Sequence, residues 1–554
     1  ALDAAIACCD LALLEWRQDN APLDWAMAHH NKGNALVEQA KRLSGAASLT
    51  ALDAAIACCD LALLEWRQDN APLDWAMTQA SKGVALQGRA GRLSGAAGLA
   101  ALDGAIACYD LALQEYRQGV VPLQWAMAQH NKGTARVERA GRVSGAASLT
   151  ALDAAIACFD LALQEYRQDN DPLDWAMTQA NKGDALVERA MRLSGVARLA
   201  ALDAAIACCD LALLEWRQDN VPLQWAITQN NKGNALAEQA KRLSGAAGLA
   251  ALDAAIACYD LALLERRQEI VPLDWAATQH NKGIALVERA GRLSGAEGLA
   301  ALDAAIDCYD LALEMFPSAV QPDRHRQQAR VLAGALLRRA LTPESAGLER
   351  EQALDRAWIR ISSALTAART LALREAQVTF RQQEWAANAR VFTLAAAITA
   401  LRGDEAPSDE QRRRLAQAIA LLEEGRARGL AEAAGRRNAD LTALSVLDRQ
   451  RYIQAVEAVQ SIEAQSRQLT DPLALQTEAL LVGEQLKQVV SEIRTRQRAQ
   501  GKDFLPEPDV SVPTMARGLA VGEALVYLMP LEVGTLLLAV GPSGEPVMRW
   551  LGKL

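Results

Sequence analysis

The run ALDAAIACCDLALLEWRQDNAPLDWAMAHHNKGNALVEQAKRLSGAASLT, residues 1–50, decides the fold, because it returns almost letter for letter along the chain. Its opening hexapeptide recurs at Ala1, Ala51, Ala101, Ala151, Ala201, Ala251 and Ala301. A fixed period of this size marks a repeat architecture, in which each unit is one supersecondary element that cannot bury its apolar face alone. Within the unit, Leu2, Ala5, Ile6, Cys9, Ala12, Leu13 and Trp16 trace one side of a helix, with Asp3, Asp10, Glu15 and Arg17 on the other. Asp19 and Asn20 make a polar turn. Pro22, whose missing N–H would be unpaired in a first turn anyway, opens a second helix. That helix carries Trp25, Gly33, Leu36, Ala40 and Leu43 on one face, places Lys41 and Arg42 in its last turn, and is expected to stop near Gly45. Each unit is therefore expected to be a helical hairpin.

Composition sets the outer bounds. The 554 residues are 51% hydrophobic and only 4% aromatic, the balance of an all-helical protein rich in Ala and Leu. No apolar run is expected to approach the roughly 20 residues needed to span a bilayer, so no membrane partner is expected. A net charge of −9 argues against a nucleic-acid scaffold, which needs a basic face to displace counterions. The ten cysteines all lie in the repeats, at Cys8, Cys9 and their counterparts, and position nine alternates among Cys, Tyr and Phe as a packing site does. They read as core thiols of a reducing, cytoplasmic compartment. The chain opens inside a helix without Met, so its native N-terminus is expected to lie upstream.

The hairpin resembles the tetratricopeptide repeat. Asn31-Lys32-Gly33-x-x-Leu36 is similar to that family's first-helix pattern, and Ala105-Ile106-x-x-Tyr109-x-x-Ala112 to its second. The period of fifty exceeds the family's usual one, Lys32 stands where the family has an apolar residue, and Leu36 where it has an aromatic. The resemblance implies an all-α fold, a right-handed α-solenoid of 50-residue hairpins. Gly33, Gly83, Gly133, Gly183, Gly233 and Gly283 sit mid-helix at a cost of roughly 1 kcal/mol each against Ala, which makes sense where two helices approach closely.

Six near-complete units fill residues 1–300, and a degenerate seventh ends the array near residue 343. Residues 344–500 read as long helices: Glu349 to Leu373, Glu375 to Leu401, one starting after Pro407-Ser408, then Leu441 to Gln468 and Asp471 to Arg498 as an antiparallel pair. A break is expected at Asn438-Ala439-Asp440, and Gly501 to Pro513, with three prolines, reads as a linker. From 514 the composition changes to short apolar runs, Ala524 to Met529, Thr535 to Val540 and Val547 to Leu551, expected as strands with a tight turn at Gly541-Pro-Ser-Gly544. This order of parts, with Leu421-Leu-Glu-Glu-Gly-Arg-Ala-Arg-Gly-Leu430 and Leu519-Ala-Val-Gly-Glu-Ala-Leu-Val-Tyr527, is similar to bacterial CHAT proteins. These carry a tetratricopeptide array and a C-terminal caspase-like α/β domain, here expected to be incomplete over 514–554. That family uses a His/Cys dyad on later strands; no His follows His325 and no Cys follows Cys308, so nothing catalytic transfers and the chain as given is not expected to be an enzyme.

No Gly-x-x-x-x-Gly-Lys-Ser/Thr loop is present, and the five histidines are too scattered to share a metal, so no cofactor is expected. The informative signal is where the copies differ. Position 30 reads His30, Ala80, His130, Ala180, Asn230, His280, and position 34 reads Asn34, Val84, Thr134, Asp184, Asn234, Ile284. The resemblance places these positions, with the preceding Asn31, Asn131, Asn181, Asn231 and Asn281, on a concave groove that binds a protein or peptide partner. The alternative is that positions 30 and 34 face solvent and drift freely, and that the asparagines satisfy neighbouring turns. The function expected is a protein-interaction scaffold, the sensor arm of a CHAT-type protein; a regulatory part of an active cysteine peptidase, or a self-assembly module, are the other readings.

Overall fold

A computed structural model describes the backbone of residues 2–43, 45–374, 378–404, 408–433, 441, 444–466, 476–500, 519, 524–531 and 534–551. The break at 438–440, the start of the last helix at Asp471-Pro472, the linker 501–513 and the opening of the expected α/β segment lie outside the described residues. Nineteen helices and three strands are found among those described. They fall into two compact units, residues 1–265 and 266–554.

The first unit holds eleven helices: α1 Leu2–Glu15, α2 Pro22–Arg42, α3 Gly45–Glu65, α4 Pro72–Ala90, α5 Gly95–Glu115, α6 Pro122–Ala140, α7 Gly145–Ala162, α8 Pro172–Arg192, α9 Gly195–Glu215, α10 Pro222–Ala240 and α11 Gly245–Glu265. Every even helix opens on the predicted Pro. The odd helices open earlier than expected. Gly45, read from the sequence as a helix stop, instead starts the next helix with φ +54°, and Gly95, Gly145, Gly195 and Gly245 repeat this. The left-handed geometry needs glycine, and it turns the chain so sharply that α2 lies along α3 more extensively than along α1. The same holds for α4 with α5, α8 with α9 and α10 with α11. The hairpin is thus a Pro-led helix followed by a Gly-led one. The wider turn between hairpins is held by Asn20, which accepts from the Arg17 N–H at 2.7 Å and donates to Glu15 O at 2.9 Å; Asn70, Asn170 and Asn220 do the same.

Moving the start to Gly45 lengthens the apolar run, and this corrects the membrane expectation. By length and composition α3, α5, α7 and α11 could cross a bilayer, with mean hydropathy of 1.4 to 1.7. Their aspartates are nonetheless paired with cations from the following Pro-led helix: Asp60 with Lys82 and Asp110 with Lys132 at 2.6 Å, Asp53 with Arg89 and Asp103 with Arg139 at 2.6 Å. Lys32, the departure from the family pattern, makes the equivalent contact to Asp10 at 2.5 Å.

The core is built from small residues with one large one per hairpin. Ala55, Ala105, Ala155 and Ala205 are fully buried, as are Leu102, Leu152 and Leu202. The mid-helix glycines face position nine of the next Gly-led helix. A Cβ on Gly83 would lie 2.7 Å from the Tyr109 ring, one on Gly133 2.8 Å from Phe159, and one on Gly233 2.7 Å from Tyr259. Where that residue is cysteine the backbones close in instead: at Gly33 and Gly183 the nearest atoms are Ala55 O and Ala205 O, both at 3.3 Å. The thiols are free, and burial pushes Cys59 up to about 12, well away from a reactive thiolate.

The second unit continues the alternation with α12 Pro272–Ala290, α13 Gly295–Glu314 and α14 Pro322–Ala340, and then changes to α15 Leu348–Arg374, α16 Val378–Leu401, α17 Ser408–Ala433, α18 Val446–Ser466 and α19 Gln476–Ala499. α15 lies along α14 as the earlier partners do. α18 and α19 are antiparallel, since Asp448 reaches Arg496 and Arg451 reaches Glu492, both at 2.8 Å, over a seam of Tyr452, Val456, Leu486, Val490 and Ile493. Strands β1 Leu525–Leu531, β2 Gly534–Val540 and β3 Pro546–Trp550 form an antiparallel sheet in that order. Leu525 pairs with Val540 and Leu531 with Gly534, while Leu536 pairs with Trp550 across the predicted turn, where Gly544 has φ +74°.

Candidate functional site

Position 30 was expected on an open groove or drifting in solvent, and it is neither. His30 is 4% exposed and His130 5%. Each sits between consecutive Pro-led helices. The Thr78 hydroxyl donates to Asp74 O at 2.9 Å, so it accepts from His30 Nδ1 at 3.1 Å, and His30 Nε2, left without a proton, accepts from the Asn34 amide at 2.9 Å. The same relay recurs in α6 and α8. Thr178 donates to Asp174 O at 2.7 Å, His130 Nδ1 donates to Thr178 at 2.9 Å, and His130 Nε2 accepts from Asn181 at 3.2 Å. Both ring nitrogens are used by the neutral tautomer. Burial disfavours the cation as well, pushing His130 down to about 4 and lowering His30. In the second unit His280 donates from Nδ1 to Gln328 at 2.6 Å and is lowered by burial too.

Other predicted residues are engaged within the fold. Asn230 is buried and bonds Asn231 at 3.2 Å, and Asn231 donates to Asp184 at 2.7 Å, linking α10 to α8. Burial pushes the Asp184 carboxyl up to about 6 in spite of that bond. Asn234 accepts from the Tyr259 hydroxyl at 2.9 Å, and Thr134 donates to its own helix at His130 O. Asn281 lies half-buried on α12. His30, His130 and Asn230 are buried and His280 is half-buried, and the three histidines bond from one Pro-led helix to the next, because a polar side chain at a helix–helix seam must find partners there.

What remains accessible on the Pro-led helices of the first unit is a face that the sequence reading passed over. Leu23, Leu73, Leu123, Leu173 and Leu223 are 40 to 54% exposed, and Met27, Met127 and Ile227, one turn on, are 38 to 40%. The next turn brings the exposed Asn31 and the half-exposed Asn131. The spacing 23, 27, 31, 34 is one helical stripe, and successive Pro-led helices touch one another, so the stripes of α2, α4, α6, α8 and α10 lie side by side. No family model matches the chain, and neither does any curated protein. The chemistry of the face thus rests on its own residues. An apolar margin beside the accessible amides of Asn31 and Asn131 suits a polypeptide, which offers side chains to the first and backbone groups to the second. Groups of three or more His, Cys, Asp or Glu placed to hold a metal are not found among the described residues.

One signal for the buried role was present in the sequence. His30 is followed by Thr78, His130 by Thr178 and His280 by Gln328, whereas Ala80 is followed by Ala128. Where position 30 is His, the next copy's position 28 is the other end of its hydrogen bond; Ala180, followed by Thr228, breaks the correspondence, and Thr228 bonds Gln224 O in its own helix.

Proposed function

We propose that the chain is a protein-interaction scaffold of the tetratricopeptide kind, the regulatory arm of a CHAT-type protein, which holds a partner segment on the Pro-led face. The observation that carries the reading is the row of exposed leucines, Leu23 and its copies on all five Pro-led helices of the first unit, joined by Met27, Met127 and Ile227 on α2, α6 and α10 and flanked by Asn31 and Asn131. Regular packing of helical hairpins supports the right-handed superhelical array, and the three antiparallel strands support the start of a caspase-like segment.

A second reading has its own observation. On the Gly-led helices Leu61, Leu64, Leu211, Leu214, Leu261 and Leu264 are 37 to 53% exposed, an apolar row suited to self-association. It is interrupted where Gln114 and Gln164 replace the second leucine, which favours the Pro-led face.

Photo-crosslinking in cells with benzoylphenylalanine at Met127 or at Leu211 of the full chain separates the two. Recurrent adducts from Met127 to one segment of another protein are expected. Adducts only from Leu211, and only to a second copy, would replace the scaffold reading by assembly.

A further inference from the structure

The second unit contains a cleft of about 870 Å³ between α12, α14, α16 and β1, lined by none of the residues of the stripes described above. Three independent features describe what it would hold. The first is space. Gly283 in the same unit has the Tyr309 ring 2.5 Å from where a Cβ would stand, yet a Cβ on Gly334 of α14 would meet nothing within 4 Å among the described residues, and Gly334 opens onto the cleft. The second is charge. Arg330, Arg338 and Arg390 line the cleft, and Glu288 is the one carboxylate among its described lining residues, in a chain whose net charge is −9.

The third is shape. All of Val526 to Leu531 lines the cleft, and β1 is an edge of the sheet among the described residues. Six consecutive strand residues form a line of backbone about 20 Å long, longer than a compact small molecule would follow. Val526 and Leu528 are 52% and 58% exposed, and Pro530 belongs on an edge, where its missing N–H breaks no ladder. An unpaired edge accepts an added strand.

We infer that this cleft binds an extended acidic segment of a partner protein, laid along β1 as a further strand. Its carboxylates meet the three arginines, and one apolar side chain fills the space beside Gly334. This goes beyond the scaffold reading and uses none of its residues, so either can fail alone.

The test is fluorescence anisotropy on the full chain, with a labelled pool of hexapeptides alternating Asp or Glu with Val, Leu or Ile, and a matched pool carrying Lys in place of the acids. The acidic pool is expected to bind and the Lys pool to bind at least about tenfold more weakly. Gly334→Leu is expected to weaken the acidic pool about tenfold while the thermal midpoint holds or rises, since the side chain enters open space and a helical glycine is removed. Arg390→Glu should narrow or reverse the preference for acid. N-methylation of alternate peptide amides should abolish binding if the segment pairs as a strand. Equal binding of the two pools, indifference to Gly334→Leu, or indifference to N-methylation would each overturn the proposal. So would saturable binding of dodecanoate with none of the acidic pool up to about 1 mM.

Discussion

At the scale of single residues the repeats act as internal controls on one another. Position 33 is Gly in all six near-complete units, but what it faces changes: the Tyr109 ring opposes Gly83, whereas Cys59 opposes Gly33. The ring is fully buried and cannot swing aside. Gly83→Ala should therefore destabilise the protein by about 1–3 kcal/mol through overpacking, more than the roughly 1 kcal/mol that alanine contributes in a helix. In a Tyr109→Cys background the same change should cost less than about 0.5 kcal/mol. Urea midpoints of the four proteins test this, and an equal cost in both backgrounds would acquit the ring. Asp184 offers a second case. Its folded pKa, about 6, is raised above the unfolded value, so ionisation costs stability as pH rises from about 4 to 6, and the cost is complete above that. Asp184→Asn keeps an acceptor for Asn231 and should be more stable by about 1–2 kcal/mol at pH 7.5, a figure reduced for partial exposure, with the difference vanishing toward pH 4. An equal difference at both pH values would mean that the charge is not its source.

At the scale of elements, the neutral histidines fasten one Pro-led helix to the next. His130 has a folded pKa near 4, depressed below its unfolded value, so its contribution is complete above about pH 6.5 and is lost as pH falls toward 4. Acidification should thus loosen α6 from α8 by up to about 3 kcal/mol. His130→Gln, which can still donate to Thr178, should flatten the stability profile between pH 6.5 and 4.5, measured by chemical denaturation; an unchanged profile would place the acid sensitivity elsewhere. The helices themselves were legible from apolar period and from Pro22 and its copies, because both act locally. The hairpin's boundary was not, because Gly45 serves equally as a helix end and as a left-handed link into the next helix, and only the packed partner decides. The candidate site was half legible. Variation pointed correctly to positions 30 and 34 as chemically distinct, yet a buried hydrogen bond between copies fifty residues apart and an exposed binding position both appear as polar variation. The accessible Leu23 and Met27 rows were hidden for the opposite reason: apolar residues on an amphipathic helix read as core.

At the scale of the molecule, the first unit behaves as a one-dimensional stack. Its substantial contacts run only between helices one or two apart in sequence order, so stability should be close to a sum of hairpins and the seams between them. Removing residues 101–150 tests this. The cut joins Ala100 to Ala151 inside a Gly-led helix, so the helix keeps its Gly95 start and acquires the second half of α7. Gly83 then faces Phe159 in place of Tyr109, a pairing already present at Gly133. Ala80 meets Thr178 in place of Ala128, and Thr178 retains its own bond to Asp174 O. Lys82 keeps Asp60, since both residues of that pair, on α4 and α3, precede the cut. The shortened protein should keep its helical content per residue and one cooperative transition within a few degrees of the parent. Deleting residues 101–125 instead removes one helix of a pair, exposes the seam that α4 made with α5, and should abolish that transition. Circular dichroism melts of the two deletions decide the matter: if both unfold alike, the stack is held by contacts longer in range than those between adjacent hairpins.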